Sequence, residues 1–172
     1  MDMSIDEKLR HGIIGRRVQL RRRQGLHAPY LRSIQDSPEF LRAMFRFETH
    51  FPKSVDELAG NFNIESGTPI VQSRAAHYVV ESKTDGLPIG IVSYVNFFPE
   101  HRRAELTFGL TNASPSIAVE AGVLAILFAF GVLGLNKLEA RVFSDNPKFI
   151  AMDKRFGFRE EGLIADHFLD SS

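Results

Sequence analysis

The sequence predicts a single α/β (α+β) domain, with a mixed, mostly antiparallel central sheet flanked by helices. Two observations predict it. Three apolar, β-rich segments lie close together between residues 77 and 110, and Asp85-Gly86 joins the first two as a hairpin turn does. A long apolar helix then links the third segment to a further strand. The length of 172 residues suits one domain spanning residues 1–172.

The N-terminal segment, residues 1–15, is charged and has no apolar pattern, so we expect a loose arm. In residues 16–23, Val18 and Leu20 alternate with polar neighbours, which is the period of a half-buried strand. The arginines of this segment are an alternative phosphate-binding cluster, although such charge more often lines the solvated face of a strand. Apolar residues at helical spacing predict a helix over 26–35.

Two further helix starts follow. Ser37-Pro38-Glu39 combines an N-cap serine, a proline at the first helical position and an acidic first turn. Its predicted buried face consists of Phe40, Leu41, Met44, Phe45 and Phe47. Ser54 and Glu57 have the spacing of a capping box. We expect that helix to end between residues 60 and 63, with the next residues forming a loop.

The second half predicts an antiparallel meander over 77–83, 87–98 and 104–110, a loop, a helix over 116–135, a strand over 137–144 and a final helix. The tail after Gly162 has room for only one more strand. We therefore expect an unpaired sheet edge beside the 137–144 strand. Either the tail or a second copy of the chain, in a homodimer, would pair with that edge.

Composition excludes several classes of function. The chain contains no cysteine, which excludes disulfides, thiolate catalysis and cysteine-ligated metals. Its formal net charge of +0 indicates neither a nucleic-acid partner nor an anionic membrane. The charged N-terminus is not a signal peptide, and the apolar run 121–135 is too short to span a bilayer. We expect a cytoplasmic protein.

Several short strings occur in a fixed order. They are Gln35 to Phe40, Asp85 to Gly90, Ala104-Glu105-Leu106, Glu120-Ala121 and the closing run from Asn146 to Gly162. In order and spacing the chain resembles, over nearly its whole length, the GNAT superfamily of acetyl-CoA-dependent N-acetyltransferases. It is most similar to the branch that acetylates protein N-termini, including those of ribosomal proteins. The resemblance implies acetyl-CoA as co-substrate, an amine acceptor and no metal.

The resemblance also implies where the cofactor binds. The implied contacts are Phe108, Gly109, Leu110, Thr111, Ser114, Ser116, Ile117 and Ala118. In the family, a glycine-rich loop lets backbone N–H groups at a helix N-terminus hold the pyrophosphate. Here residues 111–118 are shorter and contain no glycine, arginine or lysine. One interpretation is a usable anion site in which Ser114 caps the helix and the N–H groups of Ser116, Ile117 and Ala118 stay free. The alternative is an ordinary capped helix that binds nothing.

The catalytic candidates come from the same resemblance. Glu105 would take the proton of the amine, directly or through water; alternatively it is a solvated carboxylate paired with Arg103 or Arg141. His77 and His101 are second choices as the base. A backbone N–H near Phe108 to Leu110 is the implied oxyanion donor.

The last helix supplies the remaining candidates. The amide of Asn146 would orient the pantetheine arm, cap the helix, or do both, and Phe149 is implied at the cofactor. Many family members place a tyrosine seven residues after this asparagine to protonate the departing thiolate. Asp153 stands there instead, so the match to the family fails at this residue. A carboxylate near a departing thiolate is usually ionised and repulsive, and it is a poor acid unless its pKa is strongly raised.

Two functions follow from different classes. The leading one is an N-acetyltransferase (an acyltransferase) acting on a primary amine, either a protein N-terminus or a small amine. The alternative is a catalytically degenerate family member that serves as a binding or scaffolding module, favoured by the glycine-free loop and the missing tyrosine. A nucleic-acid interface at Arg16 to Arg23 is disfavoured, because no aromatic residues interleave with the arginines.

Overall fold

The computed structural model describes residues 12–44 and 54–167, and within them six strands form one sheet. The strands are β1 (Ile13–Ile14), β2 (Val18–Arg22), β3 (Ala76–Ser82), β4 (Pro88–Phe98), β5 (Arg103–Leu110) and β6 (Lys137–Glu139). They lie in chain order across the sheet, and all neighbours are antiparallel except β5 and β6, which are parallel. The predicted mixed, mostly antiparallel sheet is confirmed.

The helices occupy the connections between strands. They are α1 (Ala28–Gln35), α2 (Pro38–Met44), α3 (Val55–Gly67), α4 (Ile70–Ser73), α5 (Pro115–Gly131) and α6 (Pro147–Arg155). A 3-10 turn at Gly25–His27 leads into α1. No helix in the described ranges is both long and apolar enough to cross a membrane.

The two faces of the sheet carry different helices, because neighbouring residues of a strand point to opposite faces. Tyr78 and Val92 face α5 in the larger core cluster, whereas Val79 and Ile91 face α1 and α3 in the smaller one. Helix α6 lies beside α5: a Cβ added at Gly122 of α5 would come within 2.4 Å of the Phe156 ring. The sheet therefore separates an α5–α6 side from an α1–α3 side.

Two predictions about the N-terminal half of the chain are wrong, and a third concerns residues outside the described ranges. Residues 13 and 14 belong to a strand rather than to a loose arm, because they pair with β2. Helix α3 continues to Gly67, past its predicted end. Its exposed Gly60 costs only about 1 kcal/mol relative to alanine, and burial of Leu58 and Phe62 offsets this. The predicted core residues Phe45 and Phe47 lie outside the described residues.

The predicted strand over 137–144 is also wrong in length. Only Lys137–Glu139 pairs, and residues 140–144 have no neighbouring strand among the described residues. The tail does not supply one, since residues 159–167 are exposed and form no ladder. Two side-chain contacts tie the tail to the region of β6: Lys137 Nζ to Glu161 Oε2 at 2.7 Å, and Arg141 Nη1 to His167 Nε2 at 3.5 Å. In the described part of the chain, the outer edge of β6 is thus unpaired.

Candidate active site

A cleft opens between β5 and β6. Their register pairs Arg103 with Lys137, Ala104 with Leu138 and Glu105 with Glu139, and the pairing ends there while β5 runs on to Leu110. Glu105 and Glu139 are the Cα partners of the last pair in this ladder. Beyond this fork, the edge of β5 that faces β6 has no partner strand in the described ranges. This is the gap that a thioester binding between the strands requires.

The predicted base, Glu105, stands at the fork. Its Oε2 accepts a hydrogen bond from Asn96 Nδ2 at 3.1 Å and lies 3.4 Å from Arg141 Nε. Its side chain is 16% exposed. The pairing with Arg141 that was the alternative interpretation is therefore present, whereas Arg103 contacts Glu139 at 3.4 Å. Both contacts are made by Oε2, so no described residue binds the other oxygen of this carboxylate.

Residues of β5 beyond the fork line the cleft from both faces. Leu106, Phe108 and Leu110 pack on the α5 side. Gly109 faces α2, where an added Cβ would come within 3.1 to 3.2 Å of Met44 and Phe40. Residues of both faces of the sheet therefore border the gap, and by strand alternation Glu105 lies on the α1–α3 side with Gly109.

The start of α5 is only partly as predicted. The helix begins at Pro115 after Ser114, but the Ser114 side chain makes no cap bond and lies 3.2 Å from Ser116 Oγ. The prediction of three free N–H groups is wrong for Ile117 and Ala118, because both donate to the Ser114 carbonyl at 3.0 Å. Among the described residues, the N–H of Ser116 has no acceptor.

An arginine lies beside this first turn. Arg17 donates from Nη1 to Ser116 Oγ at 2.9 Å and from Nη2 to the Ser116 carbonyl at 3.0 Å. Its Nε and backbone N–H bind the two carboxylate oxygens of Glu120 at 2.8 and 2.7 Å. These bonds, the backbone one first, hold the pKa of Glu120 at about 2. Arg17 thus brings a guanidinium to a helix N-terminus whose own loop contains no arginine or lysine, and the ionised Glu120 balances its charge.

Thr111, the first residue of the loop, is held at the end of β5. Its N–H donates to the Ile89 carbonyl at 2.8 Å, so that donor is already used. Its hydroxyl lies 3.1 Å from the phenol oxygen of Tyr30 on α1, and burial raises the pKa of Tyr30. Helix α1 therefore reaches the predicted cofactor loop, a contact that the sequence does not indicate.

The α6 candidates start at the helix N-terminus. Asn146 caps the helix, since its Oδ1 accepts from the Phe149 N–H at 3.3 Å. No described residue binds its amide nitrogen, which leaves that donor for a ligand. Phe149 is half-buried in the same turn. Burial raises the pKa of Asp153, which is the direction required of a proton donor.

The histidine alternatives are less suited to proton transfer. Burial, followed by the nearby Arg23 and Arg22, lowers the pKa of His77 to about 3, and its Nδ1 lies 2.8 Å from Ser93 Oγ. A group with that pKa is a weak base at neutral pH. His101 is exposed at the end of the β4–β5 turn, away from the open part of the cleft. Over the described ranges no cluster of three or more metal-ligating side chains occurs.

Comparison with known proteins decides the family. The sequence profile of the acetyltransferase (GNAT) domain matches residues 17–159, most of the chain. This protein belongs to the GNAT acetyltransferase family. Among curated relatives, spermidine N(1)-acetyltransferase of Escherichia coli K12 is 34% identical over 93 residues, covering 53% of this chain and 49% of that protein. The aligned stretch thus spans about half the length of that GNAT relative.

Another relative, the uncharacterised N-acetyltransferase YoaA of Bacillus subtilis, is 25% identical over 115 residues, covering 61% of this chain and 65% of that protein. Two solved structures from Vibrio cholerae share the fold. Spermidine N-acetyltransferase in complex with CoA and spermine has a TM-score of 0.76 at 23% identity, covering 89% of this chain and 87% of that one. A candidate ribosomal-protein-serine acetyltransferase has a TM-score of 0.71 at 22% identity, covering 92% and 88%. These likenesses establish the GNAT fold.

Sequence reasoning missed three contacts of this GNAT site. Arg17 belongs to an arginine cluster predicted to line the solvent-exposed face of a strand. Its contact with Ser116 of α5 is visible only in the folded structure. Tyr30 lies on the outer helix layer, 81 residues before Thr111. Asn96 lies near the end of a mostly apolar strand, and this polar residue among Val95, Phe97 and Phe98 was the available signal.

The Arg17–Glu120 contact predicts a specific pH dependence of stability. Because the folded pKa of Glu120 is about 2, below its usual 4.5, the contact stabilises the fold above pH 4.5 and loses that effect as the pH falls toward 2. Glu120→Gln should therefore lower the urea midpoint at pH 7, and the difference from wild type should narrow below pH 4.5. Glu160→Gln, which removes an exposed pair with Lys154, is the control and should change little. A difference that does not vary with pH would contradict this account.

Proposed function

We propose that this protein transfers the acetyl group of acetyl-CoA to a primary amine, by direct attack within a ternary complex. The observation that carries the proposal is the cleft between β5 and β6, which has a carboxylate at its fork and a helix N-terminus at its other end. Family membership supports the same chemistry. The proposal includes a cytoplasmic location, where acetyl-CoA is available.

The residues around the start of α5 suit a diphosphate. Ser116 offers a backbone N–H, Ser114 and Ser116 offer hydroxyls, and the Arg17 guanidinium adds a charge that the loop lacks. The positive end of the α5 dipole points to the same place. Asn146 has a free amide donor for the pantetheine arm, beside Phe149. These groups offset the absence of loop glycines.

Each chemical step can be assigned to a group of this chain. Glu105 accepts the proton that the amine loses as its nitrogen attacks the thioester carbon. Backbone N–H groups of β5 between Phe108 and Leu110 stabilise the oxyanion. As the carbon–sulfur bond breaks, CoA leaves as a thiolate. Asp153 is the group of this chain assigned to protonate it, a role that requires the carboxyl to carry a proton when CoA leaves. CoA and the N-acetylated amine are the products.

The acceptor that fits best carries one amine, as a protein N-terminus does. On the α1–α3 side, the carboxylates of Glu65 and Glu81 already contact Arg23 and His27, so Glu105 is the carboxylate assigned to an incoming amine. A polyamine needs several unpaired carboxylates for its several ammonium groups. The spermidine acetyltransferase relatives support the second candidate, a polyamine acceptor.

A scaffolding protein and an acetyltransferase would differ in two measurable properties, the binding of acetyl-CoA and the rate of acetyl transfer. Acetyl-CoA at a hundred times its dissociation constant should stabilise the protein by about 2.7 kcal/mol, raising the melting temperature by several degrees. Glu105→Gln should keep this shift and lose most acetyl transfer, whereas Asn146→Ala should reduce the shift. Asn136→Ala is the matched control, because Asn136 directly precedes β6 at the end away from the fork. No shift with millimolar acetyl-CoA would favour scaffolding, and full activity of Glu105→Gln would remove Glu105 from the mechanism.

The acceptor class can be tested by competition. With acetyl-CoA saturating, kcat/KM should be higher for a short peptide with a free α-amine than for spermidine, because the paired carboxylates favour a singly charged acceptor. N-terminally blocked peptide is the control. A preference for spermidine by tenfold or more would select the polyamine alternative.

We also propose that two copies associate through the unpaired β6 edge and the tail. Leu163 and Ile164 of the tail are 81% and 60% exposed, and exposed edges recruit strands. A related fold, the Vibrio cholerae spermidine N-acetyltransferase, has been seen as a dodecamer, which supports assembly in general.

Light scattering after size-exclusion chromatography should therefore give a dimer mass. Leu163→Asp combined with Ile164→Asp should give a monomer, because charged side chains disfavour the apolar contact. Ile64→Asp, at an equally exposed position on α3, should stay dimeric. A monomeric wild-type protein would contradict the proposal.

A further inference from the structure

Asn96 sits at an irregularity in the sheet. The register between β4 and β5 shifts between Val95 and Phe98, and within this bulge Asn96 has a φ of 51°. Asparagine tolerates this left-handed conformation better than most residues. A bulge redirects a side chain relative to a regular strand. Here the Asn96 amide lies against the carboxylate of Glu105, 3.1 Å from Oε2.

Both contacts of the Glu105 carboxylate fall on the same oxygen. Arg141 Nε lies 3.4 Å from Oε2, and no described residue donates to Oε1. The neighbouring carboxylate of Glu139 is held separately by Arg103 and Lys137. One oxygen of Glu105 is therefore fixed by the protein, and the other remains without a partner.

The two contacts differ in rigidity. Arg141 is 52% exposed, follows β6 in an unpaired segment and also contacts His167. An ion pair with a solvent-exposed arginine is a weak restraint, because solvent screening and side-chain entropy offset much of the attraction. Asn96 itself lies in the bulge and is exposed, but its side chain is short and the backbone on either side of it is held: Val95 pairs with Glu105, and the Phe97 N–H donates to the Arg74 carbonyl at 3.0 Å. Asn96 is thus the firmer restraint on the rotation of the carboxylate.

We propose that Asn96 is a positioning residue for proton transfer, which fixes Oε2 of Glu105 so that Oε1 receives the proton of the acceptor amine. This inference rests on the proposed function, because it takes Glu105 as the base. Proton transfer depends on the base lying within hydrogen-bond reach in the correct orientation. The contribution of Asn96 therefore belongs to turnover rather than to acetyl-CoA binding.

The test uses two substitutions that keep the left-handed backbone. Asn96→Gly removes the amide and favours the same conformation, and Asn96→Asp keeps the shape but cannot donate. Each should lower kcat by roughly ten- to hundredfold. The KM for acetyl-CoA and the urea midpoint should stay near wild type. Asp166→Gly is the matched control, since Asp166 has the same φ of 51° and lies in the exposed tail.

A double-mutant cycle separates positioning from a structural role. In a Glu105→Gln background, Asn96→Gly should have no further effect, because the base it orients is gone. An equal loss in both backgrounds, or a wild-type kcat for Asn96→Gly, would overturn the inference while the proposed function stood. Full activity of Glu105→Gln, or no acetyl transfer by the wild-type protein, would overturn the inference through the function on which it rests.

Discussion

The site depends on a parallel strand pair that stops early. β5 and β6 share only the pairs from Arg103/Lys137 to Glu105/Glu139. A parallel pair requires a crossover, and α5 supplies it, so the helix necessarily starts near the open end of the gap. Beyond Glu105, the backbone donors of β5 that face away from β4 have no partner strand among the described residues. The fork, the helix tip and the free edge are therefore consequences of one interruption in the ladder.

Charge pairing then determines which groups remain reactive. At the fork, Arg103 and Lys137 neutralise Glu139, whereas Arg141 and Asn96 engage a single oxygen of Glu105. At the other end, Glu120 is fully committed to Arg17 and anchors the β1–β2 turn to α5. Glu120 is thus structural and Glu105 is available, although both are carboxylates near the predicted cofactor.

Much of the fold could be predicted from the sequence, because the residues that determine its turns and helix starts lie within those elements. The hairpin at Gly86, whose φ is 74°, and the helix starts at Pro38 and Pro115 follow from residue chemistry alone. The length of β6 was not readable, since residues 140–144 have a strand-like pattern but lack a neighbour. The predicted side-chain cap at Ser114 is also absent, and a contact from a distant part of the chain is again involved. Arg17, remote in sequence, takes the Ser116 hydroxyl that local rules leave unassigned.

The position of Arg17 also bears on the missing glycines. In a glycine-rich loop, the absence of side chains lets phosphate approach the backbone N–H groups closely. An arginine side chain can bind phosphate without such a close approach to the backbone. A guanidinium held against the first turn of α5 offers directed donors at longer reach, so a loop with a proline and side chains can still receive an anion. Because Glu120 fixes the other side of that guanidinium, the charge stays at the helix tip without an ordered ligand. Under the proposed function, the Arg17–Glu120 pair therefore takes the place of loop glycines at the start of α5.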